Sequence, residues 1–149
     1  IILGIIIFKF YFFDTGIQRA LTGELNSPLK NSSYAFGNCF EHFIILEILR
    51  LNHYCGSPYK ASYLRTKDHA EIDLILEGPQ TYLIEIKSSF QIENTHIKNL
   101  ERFVKIWPKP AIAICISNDP SPQKRESVLC LPWQEGIKRL FQNHELNSY

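Results

Sequence analysis

Residues 71–89 read EIDLILEGPQTYLIEIKSS. Two runs rich in Ile, Leu and Tyr, 71–77 and 81–89, flank Gly78-Pro79-Gln80, and such runs around such a turn predict a β-hairpin. Asp73 lies in its first strand, and Glu85 and Lys87 in its second. Strand alternation puts Glu71, Asp73 and Ile75 on one face and Ile72, Leu74 and Leu76 on the other. In the second strand Leu83, Glu85 and Lys87 share a face, opposite Tyr82, Ile84 and Ile86. Pairing of the two strands makes Asp73 and Glu85 near neighbours. Carboxylates about 4 Å apart repel by roughly 4 kcal/mol at an effective dielectric of about 20. Solvent, a lysine or a divalent cation must offset that.

A hard cation such as Mg²⁺, or Mn²⁺ in its place, binds through one or two carboxylates plus waters and phosphate oxygens. It lowers the pKa of bound water and stabilises charge on a phosphate. Lys87 points the same way as Glu85, where an ammonium orients the attacking water or neutralises charge on the phosphate. A third acid can come from the segment YAFGNCFEHFIILEILRLNHY (34–54), which reads as a long helix with Phe36, Phe40, Phe43, Ile44, Ile48 and Leu51 at helical spacing. Glu41 falls within its apolar run, where a bare carboxylate is costly unless paired. Glu47 is about 1.7 turns further on and faces another way. Glu41, Asp73, Glu85 and Lys87 are the candidate catalytic set, and Asp73, Glu85 and Glu41 the candidate metal ligands. The competing reading of the hairpin charges is a cross-strand salt bridge on a solvated sheet. Glu71 reads as a rim charge. Arg65 and Lys67 read as turn charges that are also placed to meet phosphates.

Around the hairpin, FFDTGIQRALTGEL (12–25) feeds a short helix capped by Asp14 or Thr15. Residues 26–33 are a polar loop, and Gly56-Ser57-Pro58 ends the long helix. Residues 59–66 alternate as a strand, 95–107 form an amphipathic helix stopped by Pro108, and 111–117 (AIAICIS) form an unbroken apolar strand covered on both faces. NDPSPQKRES (118–127) is a loop, 128–132 a last strand, and 133–144 a closing helix. A three-strand meander followed by a helical crossover predicts an α/β fold, a mixed β-sheet flanked by helices.

The chain has 149 residues, 45% hydrophobic and 21% charged, which suits a single soluble globular domain. Its net charge of +1 and pI near 7.8 argue for weak, substrate-limited DNA binding rather than tight nonspecific binding. No GxxxxGK phosphate loop occurs, so an ATPase core is not encoded here. The cysteines Cys39, Cys55, Cys115 and Cys130 form no CxxC pair, which suits a reducing cytoplasm. Cys39/His42 and His53/Cys55 lie at opposite ends of one helix, roughly 20 Å apart at about 1.5 Å per residue, too far for one zinc ion. The 13-residue apolar start IILGIIIFKFYFF is too short to span a membrane, which takes about 20 residues. It reads as a buried strand, or as a surface for self-association or for an ATPase partner. The chain contains no Met, as a fragment or processed product would.

The segments FFDTGIQRALTG, GNCFEHFIILEILR, YLRTKDHAEIDLIL and YLIEIKSS resemble the C-terminal domain of a family of bacterial and archaeal AAA-type P-loop ATPases. The resemblance spans roughly residues 8–141, and its most specific part is RTK…EID…IEIKSS. It implies a PD-(D/E)XK, restriction-endonuclease-like fold whose metal site uses a helical Glu, an Asp and an E-x-K pair. Those fall on Glu41, Asp73, Glu85 and Lys87. The expected function is Mg²⁺-dependent phosphodiester hydrolysis in DNA. The alternative is a non-catalytic docking or regulatory module, a remnant of a larger ATPase.

Overall fold

The computed structural model describes residues 14–141 apart from 24, 27 and 32. The expectations for the apolar start, residues 1–13, and for the end of the closing helix, residues 142–144, lie outside the described residues. Asp14 opens the first helix, α1 (Thr15–Leu21): its Oδ1 accepts the N–H groups of Gly16 at 2.7 Å and Ile17 at 3.1 Å. The long helix α2 (Tyr34–Tyr54) starts where Ser33 Oγ accepts the N–H of Phe36 at 3.1 Å. It stops at Gly56, whose φ of 59° suits a residue without a Cβ. Three strands follow as a meander: β1 (Lys60–Arg65), β2 (Glu71–Glu77) and β3 (Thr81–Lys87).

Helix α3 (Asn94–Ile106) crosses from β3 to β4 (Ala111–Ser117), which pairs parallel to β3. Trp107 precedes Pro108 and is extended, with ψ 135°, because the proline ring clashes with a helical residue before it. β5 (Gln123–Arg125), β6 (Val128–Pro132) and α4 (Trp133–Phe141) complete the fold. The six strands form one mixed sheet in the order β1-β2-β3-β4-β6-β5. β3, β4 and β6 run parallel; the neighbours β1, β2 and β5 are antiparallel additions.

The sheet separates two apolar cores. On one side α2 and α4 lay Phe40, Ile44, Ile45, Ile48, Ile137 and Leu140 against Leu74, Leu76, Ile84, Ile114 and Ile116. On the other, α3 lays Ile97, Leu100 and Phe103 against Ile72, Ile75, Leu83, Ala113 and Cys115. β4 thus feeds both cores, as its unbroken apolar run predicts.

Two departures from the sequence expectation matter. Residues 123–125, expected as loop, form the edge strand β5; a three-residue strand of Gln, Lys and Arg carries no hydrophobic alternation. Alternation also fails in β2. Ser62 faces Ile75 and Leu64 faces Ile72, so β2 spends one residue more than β1 over that interval. This bulge at Asp73-Leu74 lets Ile72 and Ile75 enter the same core, where strict alternation sets them on opposite faces. Among the described residues, no helix is long and apolar enough to cross a membrane.

Candidate functional site at the carboxyl ends of the parallel strands

Antiparallel pairing brings the start of β2 beside the end of β3. The β2–β3 ladder runs from Leu76↔Tyr82 to Leu74↔Ile84. At the bulge a side chain continues it: Asp73 Oδ2 accepts the backbone N–H of Ile86 at 2.8 Å. Asp73 and Glu85 are 6% and 7% exposed, so both carboxyl groups have left water. Lys87 Nζ sits 2.5 Å from Glu85 Oε1. The other oxygen, Glu85 Oε2, is buried with no hydrogen-bond partner. An unmade hydrogen bond at a buried carboxylate oxygen costs on the order of 1–3 kcal/mol.

The electrostatics join four groups. Burial, then the Asp73 charge, push the Glu85 carboxyl up to about 8; Glu41 on α2 pushes the same way, and only Lys87 opposes. Burial pulls Lys87 down, but Glu85 and Asp73 outweigh it and hold its ammonium above its ordinary value. Burial acts on both groups, and the carboxylates that raise Glu85 also hold the proton on Lys87. Glu47 points elsewhere and pairs with Arg50 at 2.6 Å, as its helical angle from Glu41 requires.

The four candidate residues are therefore close enough to feel one another. Their present geometry is that of an ion pair and an amide cap: among the described residues, no group of three or more His, Cys, Asp or Glu side chains is arranged to hold a metal ion. A cavity of about 240 Å³ opens beside Asp73, between α2 and β1, with Ile45, Leu49, Tyr63 and Leu74 in its lining. Arg65 is engaged locally: its Nε lies 3.0 Å from Glu71 Oε1 and its terminal nitrogen 3.3 Å from His69 Nδ1. Lys67 lies exposed in the turn from β1 to β2.

The same end of the sheet carries residues that the sequence reading passed over. Asp119, 7% exposed, accepts three N–H groups at 3.0 Å: Ile92 N and Gln123 Nε2 on Oδ2, and Ser121 N on Oδ1. Backbone donation from Ser121 and Ile92 holds its carboxyl below the usual aspartate range. Asn118 Nδ2 donates to the carbonyl of Ser88 at 3.1 Å. Together they pin the loop that follows Lys87. The available signal was Asn-Asp-Pro directly after an apolar strand, a combination that favours turns held by the acid side chain. Open α/β sheets bind ligands outside the carboxyl ends of their parallel strands, and that is where this cluster lies.

A solved structure similar to this chain is a refined half-complex from a tetradecameric assembly of Thermococcus gammatolerans McrB AAA+ hexamers with bound McrC. The match has 13% identity and a TM-score of 0.47, and covers 72% of this chain. This chain spans 33% of that one. No curated protein matches. Residues 36–135 match the model of a domain of unknown function, DUF4143, a span that contains Glu41, Asp73, Glu85 and Lys87. The chain belongs to the DUF4143 family.

Proposed function

We propose that this is a PD-(D/E)XK nuclease-like domain that hydrolyses phosphodiester bonds in DNA with Mg²⁺ or Mn²⁺. One observation carries the reading: the buried Glu85 carboxyl, whose Oε2 has no hydrogen-bond partner although Lys87 pairs with its Oε1. Burial first, and then the Asp73 charge, raise this carboxyl, and a cation at the orphaned Oε2 would stabilise its charged form. The donor set fits a hard divalent cation, which prefers carboxylate oxygens. Asp73 and Glu85 would hold the ion, with Glu41 assisting through water. A bound ion would supply Lewis-acid stabilisation of phosphate charge and a more acidic water.

The chain's own groups have distinct tasks. The Ile86 N–H fixes the Asp73 carboxylate in place. Lys87 is the counter-ion of Glu85 and keeps its proton, so it serves as a cation that orients water or meets phosphate, not as a base. The resemblance of RTK…EID…IEIKSS to the C-terminal domain of AAA-type ATPases supports the same assignment and a single-domain extent. To test it, Mg²⁺ and Mn²⁺ are titrated calorimetrically into the protein and into Asp73→Asn, with DNA cleavage followed in parallel. Millimolar or tighter binding, lost in the variant, is expected. Absence of binding at millimolar metal, with an unchanged profile in Asp73→Asn, rejects the reading.

The Glu85–Lys87 ion pair favours a second reading, in which Lys87 already serves as counter-ion and the domain is a non-catalytic docking or regulatory module of an ATPase. Metal binding without any cleavage of DNA would favour this one.

A further inference from the structure

We propose that the exposed face of α3, together with Phe90, is a track for a single nucleic-acid strand leading away from the Glu85–Lys87 end of the sheet. Lys98, Arg102 and Lys105 recur at i, i+4 and i+7, so they share one face of α3. All three are exposed, while the opposite face, Ile97, Leu100 and Phe103, is buried. Lys98 to Lys105 spans about 10 Å of helix at 1.5 Å per residue. That is the rise of about three stacked nucleotides at 3.4 Å each.

Three acids lie beside it, and Glu93 is engaged in the capping box of α3. Glu93 lies at the helix start, and Glu101 flanks the stripe. Glu126 pairs with Lys105 only at 3.4 Å, between side chains 68% and 61% exposed. A pair that exposed is worth about 0–1 kcal/mol, so a phosphate competes with it readily. At the end nearer the site, Arg125 donates to Asn94 Oδ1 at 2.7 Å and adds a further cation.

Phe90 makes the track one for an unpaired strand. It lies three residues past Lys87 and is 55% exposed. Its loop is tied down on both sides, by Asn118 to the Ser88 carbonyl and by Asp119 to the Ile92 amide. Single strands are bound where phosphates meet cations and a base stacks on an exposed aromatic ring, and Phe90 offers such a ring four residues before α3 begins. The track deepens the hydrolytic reading and rests on it only for the identity of the polymer.

The test is fluorescence anisotropy of a labelled single-stranded DNA 20-mer with EDTA present, across a salt series. In the triple variant Lys98→Ala, Arg102→Ala, Lys105→Ala, the slope of log K against log salt should fall in magnitude by about 2, at about 0.7 per phosphate contact. Phe90→Ala should weaken single-strand binding about ten-fold and leave duplex binding unchanged. Arg102→Lys should keep the slope, and circular dichroism checks that each variant folds. An unchanged slope, a preference for duplex, or equal binding of polyglutamate overturns the track, the last showing an acidic-protein surface instead. Because no metal is present, loss of divalent binding leaves this result standing, and the converse also holds.

Discussion

The carboxylate of Asp73 accepts the backbone N–H of Ile86 at 2.8 Å, so the β2–β3 hairpin is closed at one end by a side chain. The bulge at Asp73-Leu74 lies where the β2–β3 ladder ends, at Leu74↔Ile84, while pairing with β1 resumes at Ile72. One residue thus has a structural duty and a proposed ligand duty, and two substitutions separate them. Asp73→Ala orphans a buried N–H and should cost about 1–3 kcal/mol in chemical denaturation. Asp73→Asn keeps an acceptor oxygen, so it should unfold within about 1 kcal/mol of wild type yet bind no Mg²⁺. If Asn binds metal as wild type does, Asp73 is an amide cap and nothing more.

Stability should fall with rising pH in the metal-free protein. The Glu85 carboxyl is raised from 4.5 to about 8, so the fold favours its protonated form. That contribution is full below the unfolded value and is lost as pH climbs through about 8. Each pKa unit is worth about 1.4 kcal/mol, so the loss is on the order of a few kcal/mol. Melting curves in EDTA from pH 5 to pH 9 should show it, and Glu85→Gln should flatten the profile. Added Mg²⁺ should restore stability at the alkaline end and do little at pH 5, where protons already occupy the carboxyl groups. A Tm that climbs steadily to pH 9 without metal would refute the crowded-acid account.

The sheet was legible because its strands carry strong signals. AIAICIS forms the doubly covered β4, and the runs flanking Gly78-Pro79-Gln80 form β2 and β3. Helical spacing placed Phe40, Ile44 and Ile48 of α2 on the buried side. The strand β5 left no trace, since Gln-Lys-Arg pairs through its backbone alone. Nor did the bulge, because it depends on how β1 and β2 reconcile their lengths around Tyr63, which period-2 reasoning within one strand does not contain. Arg65, read as a turn charge, ends β1 and forms an ion pair with Glu71 that pattern within one strand does not contain. The charge pattern of the hairpin singled out Asp73, Glu85 and Lys87 as candidates; how tightly Lys87 closes on Glu85 is a three-dimensional fact.

Asp119 makes an opposite pH prediction. Its carboxyl is held low by backbone N–H groups, so its contribution is present above the unfolded aspartate value and is lost as pH falls through the lower, folded one. Asp119→Ala leaves the amides of Ile92 and Ser121 without their acceptor and should cost about 2–4 kcal/mol. Hydrogen exchange should localise the damage, with the Ile92 amide losing protection while Ile84 and Ile114, at the centre of the sheet, keep theirs. Equal loss at all three would mean that Asp119 supports the whole fold and not the loop after Lys87.

Gly136→Ala in α4 tests the packing behind the site. Helix propensity alone predicts a gain of about 1 kcal/mol. A Cβ there would stand 2.9 Å from Ile116 Cγ1 and 3.3 Å from its Cδ1, and Ile116 is fully buried in β4. Cγ1 is one bond from Cβ and has little freedom to retreat, so overpacking, at about 1–3 kcal/mol, should win. The expected outcome is a net loss of about 1 kcal/mol by urea denaturation. Ile116→Ala, by itself a loss of about 2–5 kcal/mol, removes the clash. The double variant should therefore be less destabilised than the two single losses combined, with a favourable coupling of about 1 kcal/mol. A higher Tm for Gly136→Ala would show that α4 can shift on the sheet, so that its distance from β4 is not set by contact at Ile116.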